Sequence, residues 1–175
     1  SGSIVTSTGD SASSNTGTIS ILTGDSSTSK AGDIIVTAGT TFLGNGADVL
    51  VTAGETQSAH SGGRVLIAGG LGSQSADGIG GGIDISGGFG NGGGANSVGG
   101  YITIKGGVAR IQTGGSINIQ TGVSQTTSSG HLTLKTANSA SAGVSGYVDM
   151  GSGVSSFGNS GSLTLSSGDS TNGRS

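Results

Sequence analysis

Apolar residues recur along this chain as pairs two positions apart. Each pair sits in a motif of Gly-x-aliphatic-x-aliphatic followed by small residues, as in GTISILTG from Gly17 and GSINIQTG from Gly115. Eleven copies are legible, with the first aliphatic at Ile4, Ile19, Ile34, Val49, Val65, Ile83, Ile102, Ile117, Leu132, Val148 and Leu163. The steps between them are 15, 15, 15, 16, 18, 19, 15, 15, 16 and 15 residues. Aliphatics two apart place both side chains on one face of an extended strand. No copy carries a helical period, which excludes leucine-rich and ankyrin-type units.

One strand of about five residues in each step of about 15 leaves roughly ten to turn and return. The pattern therefore predicts an all-β fold: a parallel β-solenoid (β-helix) of about eleven coils with ~15 residues per coil. It would occupy 1–175 as a single repeat domain. Each strand would pair with its equivalent one coil away, about 4.8 Å along the axis, for a rod of roughly 50 Å. The expected core ladder is Ile19, Ile21, Ile34, Val36, Val49, Val51, Val65, Ile67, Ile83, Ile85, Ile102, Ile104, Ile117, Ile119, Leu132, Leu134, Val148, Met150, Leu163 and Leu165. Return segments such as GDSSTSKA hold small residues, which suits a thin coil. The recurring glycines are expected to supply positive φ at corners.

Composition sharpens this picture. Gly accounts for 40 of 175 residues, charged residues are 9%, and Pro, Cys and Trp are absent. So much Gly and Ser resembles a flexible linker. Disordered chains, however, combine low hydrophobicity with high net charge, and here the net charge is −3. The lack of Pro suits an uninterrupted backbone ladder. No Lys/Arg run offers a footprint for nucleic acid, and no apolar stretch is long enough to cross a bilayer. No nucleic-acid partner and no membrane insertion are expected.

Three departures from the repeat stand out. The stretches from Gly69 to Gly82 and from Gly87 to Gly100 are longer than their equivalents and carry Leu71, Ile79 and Phe89 as candidate loop contacts. The position between the paired aliphatics is Ile35, Leu50 and Leu66 in copies three to five, a candidate lateral interface. In later copies it is Asp84, Thr103, Asn118, Thr133, Asp149 and Thr164. Neither end shows a polar or helical cap, so a solenoid here would expose strand edges. That predicts a segment of a longer array, or a protomer that stacks end to end and also associates laterally with its own kind.

Chemistry-bearing residues are sparse. His60 and His131 would lie about five coils, roughly 24 Å, apart in a solenoid and could share neither a metal nor a catalytic dyad. Asp10, Asp25 and Asp169 recur in Gly-Asp-Ser corners, a turn-stabilising context. The run Gly80-Gly81-Gly82-Ile83-Asp84 matches a calcium-binding nonapeptide only once, without the stacked copies such sites need. No phosphate-binding Gly-Lys-Ser/Thr loop follows a glycine run, and no base is placed to activate a serine. The chain is read as no enzyme, with no cofactor and no metal.

The repeated G-x-I-x-I-x-T-G, as in GTISILTG and GSINIQTG, resembles the Gly/Ser/Thr-rich β-solenoid arrays of large secreted or cell-surface fibre and adhesin proteins of microbes and algae. The resemblance covers the whole chain and implies an extracellular or cell-surface structural protein that builds fibres or adhesive stalks. The coils are also similar in length and composition to ice-binding β-solenoids, whose flat Thr grid reads ice. Here the position after the second aliphatic runs Leu22, Thr37, Thr52, Ala68, Ser86, Lys105, Gln120 and Lys135, so no outward column keeps Thr. A structural fibre module is therefore the leading expectation. Ice binding is the alternative and glycan binding the second alternative.

Overall fold

The computed structural model describes residues 2–73, 77–140 and 142–173. They fall into two units, Ser1–Ile85 and Ser86–Ser175, each built from the same motif. The parallel β-solenoid expectation is overturned. Among the described residues there is no helix and no β-strand; the chain is irregular, punctuated by short bends. Backbone-to-backbone hydrogen bonding is limited to six bonds among those residues, and none pairs the aliphatic run of one motif with that of the next.

The reason lies in where each loop closes. The fourth residue after the first aliphatic forms a throat: Thr8, Thr23, Ala53, Gly69, Gly87, Gly106, Thr121, Thr136 and Ser152. The glycine two residues before the next aliphatic returns to it. Gly17 comes back to Thr8, Gly32 to Thr23, Gly63 to Ala53, Gly130 to Thr121, Gly146 to Thr136 and Gly161 to Ser152. In five copies the returning amide also donates to the carbonyl just past the throat. These bonds are Gly63 to Gly54 at 2.9 Å, Gly81 to Gly70 at 2.9 Å, Gly100 to Gly88 at 2.8 Å, Gly115 to Gly107 at 2.8 Å and Gly130 to Gly122 at 3.0 Å.

Each motif thus begins beside the end of the motif before it. A solenoid requires the start of each coil to lie over the start of the previous one, about 4.8 Å away. An extended run of six residues spans about 20 Å, so both conditions cannot hold for an extended motif.

Closure also explains the glycines. Positive φ is adopted by Gly158 alone, at 87°, among the described residues. The expected corner role therefore gives way to one of close approach. A β-carbon on Gly100 would stand 2.7 Å from the Gly88 nitrogen, and one on Gly81 3.0 Å from the Gly70 nitrogen. On the opposite side of the three glycine throats, β-carbons on Gly69, Gly87 and Gly106 would collide with the carbonyls of Gly81, Gly100 and Gly115. Where the throat residue is Thr, its methyl takes that space instead, as Thr8 does 3.2 Å from the β-position of Gly17.

No described residue is buried, so the aliphatic ladder encloses no core. The chain exposes 17649 Å². A folded protein of 16.4 kDa exposes about 7,500 Å², and its unfolded chain about 24,000 Å². Only about a quarter of the unfolded surface is removed, against roughly 70% for a packed domain of this size.

Candidate functional surface

Two features repeat from copy to copy, the aliphatic pair and the loop. Within the pair, exposure follows a regular rule. From Ile19 to Val148 the first aliphatic is 49–57% exposed, and the second, from Ile21 to Met150, is 61–76% exposed. The core-ladder residues therefore form a repeated, partly shielded apolar surface. In the second unit a polar residue separates each pair, as Thr103 does between Ile102 and Ile104. In the first unit Ile35, Leu50 and Leu66 occupy that middle position and stand more exposed than the first aliphatics on which they follow.

The long loops keep the closure rule. Their additional residues lie between throat and return, and Leu71, Ile79 and Phe89 project into solvent. Leu71 and Ile79 belong to the first unit and Phe89 to the second. The loop carrying Phe89 has bonds of its own: the Gly92 amide donates to Ser97 Oγ at 2.7 Å, and the Ser97 amide to the Gly94 carbonyl at 3.0 Å.

The sequence reading missed a second column. The seventh residue after the first aliphatic is Ser11, Ser26, Thr41, Thr56, Ser124, Ser139, Ser155 and Ser170 in eight copies. In five of them, Ser11, Ser26, Thr56, Ser124 and Ser155, the hydroxyl bonds within the bend of its own loop. Ser11 accepts from the Ser14 amide at 3.0 Å, Ser26 from the Ser29 amide at 3.2 Å, and Ser124 from the Thr127 amide at 2.9 Å. Ser155 instead donates to the Phe157 carbonyl at 2.8 Å. Serine and threonine hydroxyls commonly offer such local turns to the backbone. The signal was present as a fixed offset from the aliphatic, hidden in a chain where Ser and Thr are everywhere.

Among the described residues ionisable groups do not converge. Lys30 Nζ lies 2.8 Å and 2.9 Å from the two carboxylate oxygens of Asp33, on the surface and three residues away. An exposed pair of this kind contributes about 0–1 kcal/mol. His60 Nδ1 shares a hydrogen bond of 2.9 Å with Ser58 Oγ, within one loop. Among the described residues no three His, Cys, Asp or Glu side chains gather where a metal could sit, and no helix is long and apolar enough to cross a membrane. Asp10, Asp25 and Asp169 each remain in separate, exposed Gly-Asp-Ser corners. No protein-family model, no curated protein and no solved structure matches the chain.

Proposed function

We propose that this chain is a structural repeat module of an extracellular fibre or surface adhesin. The observation that carries the reading is the repeated exposure of both aliphatics at a near-constant step, from one end of each unit to the other. A surface distributed in this way suits contacts made along a length, whereas a ligand site concentrates a few precisely placed groups in one concavity. The low charge supports it as well, because a net −3 over 175 residues opposes dense packing only weakly. The loop hydroxyls at Ser11, Ser26 and Ser124 are engaged with their own turns. That favours a structural role over an ice-reading hydroxyl grid.

Electron microscopy of the purified chain at rising concentration tests the reading. Elongated assemblies with a regular repeat are expected. Particles that stay small and discrete at every concentration, and that join no fibre when mixed with extracellular matrix material, would overturn it.

A further inference from the structure

We infer that Asn45 is a site of spontaneous covalent modification: the Gly46 backbone nitrogen attacks its side-chain carboxamide and converts it to aspartate and isoaspartate. Asn91, in the same local sequence, is held back from this reaction by Ser97. The site stands apart from the structural reading above and does not depend on it.

The two asparagines form a matched pair. Gly44-Asn45-Gly46 and Gly90-Asn91-Gly92 are identical tripeptides, so local sequence gives them nearly the same intrinsic reactivity. In each, the following glycine leaves the attacking nitrogen without an adjacent β-carbon. Both asparagines are exposed to water. What differs is the surroundings of that nitrogen.

The Gly92 amide donates to Ser97 Oγ at 2.7 Å. Ser97 is itself fixed, because its own amide donates to the Gly94 carbonyl at 3.0 Å. The chain also runs close behind Asn91, where a β-carbon on Gly90 would collide with the Val98 carbonyl. Attack requires the nitrogen to lose its proton and turn toward the carboxamide, so the bond to Ser97 must first open. The Gly46 amide, by contrast, has no hydrogen-bond partner among the described residues. A β-carbon on Gly46 would meet nothing within 4 Å. Its loop returns at Ala47 and not at a glycine, and no backbone bond fastens that return among the described residues.

The chemistry balances with water as the only co-reactant. The deprotonated Gly46 nitrogen bonds to the side-chain carbonyl carbon of Asn45. The bond from that carbon to its amide nitrogen breaks, releasing ammonia and leaving a cyclic succinimide. Water then adds to either ring carbonyl. One opening gives aspartate. The other gives isoaspartate, in which the main chain runs through the former side chain and gains a carbon. Either product adds a negative charge to the net −3 of the chain.

Trypsin separates the two sites, since Arg64 lies between them and Lys30 and Lys105 flank them. The full chain is incubated in mildly alkaline buffer, digested, and followed by mass spectrometry with fragmentation to place each amide-to-acid exchange. Asn45 should convert roughly three- to tenfold faster than Asn91, the factor that corresponds to opening one net hydrogen bond. Ser97→Ala should raise Asn91 to the rate of Asn45, and Ser97→Thr should keep it slow. In guanidinium the two wild-type rates should converge. Gly46→Ala, whose β-carbon has open space, should suppress conversion at Asn45. No conversion at Asn45, native rates that are equal or faster at Asn91, or an Asn91 rate indifferent to Ser97→Ala overturns the inference.

Discussion

The Gly115 amide donates to the Gly107 carbonyl at 2.8 Å, and a β-carbon on Gly115 would stand 2.8 Å from the Gly107 nitrogen. The hydrogen bond and the exclusion of a side chain are thus one feature. The approach that makes the bond leaves no room for anything larger than hydrogen.

Gly115→Ala is accordingly expected to open the loop from Val108 to Gly114, losing about 1 kcal/mol of local closure. Gly107→Ala is the matched control, because a β-carbon there meets nothing within 4 Å. The chain has no cysteine, so spin labels on Lys105→Cys and Ser116→Cys report the throat distance directly. Equal widening in both variants would refute the closure argument.

Ser124 holds its bend by accepting from the Thr127 amide at 2.9 Å and the Thr126 amide at 3.3 Å. Ser124→Ala removes the acceptor and should raise Thr127 amide exchange by roughly fivefold, a local cost of about 1 kcal/mol. Ser124→Thr should restore protection, since Thr41 and Thr56 occupy the same offset in other copies. Exchange measured by NMR separates the three chains.

Gly158 is the one described residue at positive φ, 87°, and a β-carbon there meets no neighbour. Substitution is penalised by backbone conformation alone. Gly158→Ala should cost about 1 kcal/mol and shift the amide resonances of Phe157 and Asn159. Gly158→Asn should disturb them less, because asparagine tolerates the left-handed region better.

The dilute chain should lack a cooperative unfolding transition. The denaturant slope scales with the surface exposed on unfolding, and here most of that surface is already exposed. Guanidinium titration followed by circular dichroism, at concentrations below association, should give a shallow drift. A sharp transition with the slope of a packed domain of this length would contradict the exposures found for Ile19 through Met150.

Legibility in the sequence divides along a physical line. The period, the apolar pair and the glycine at nine of the ten junctions (Ala47 stands at the other) follow from local residue order, and the glycines recur in the loop closures from Gly17 to Gly161. The two long stretches were legible as lengthened loops and close by the same rule. The hydroxyl column at Ser11, Ser26 and Ser124 was present but masked by composition.

By itself, then, the sequence determined how often the chain repeats and which residues are small enough to meet. The tertiary structure decided whom they meet. A step of about 15 residues allows a return either to the start of a motif or to its end. Gly115 returning to Gly107 chooses the end. Nothing local dictates that choice, because loop closure depends on which distant backbone groups can approach and bond. The same choice leaves Ile102, Ile117 and their equivalents about half exposed, because motifs that meet only at their ends cannot stack their apolar faces.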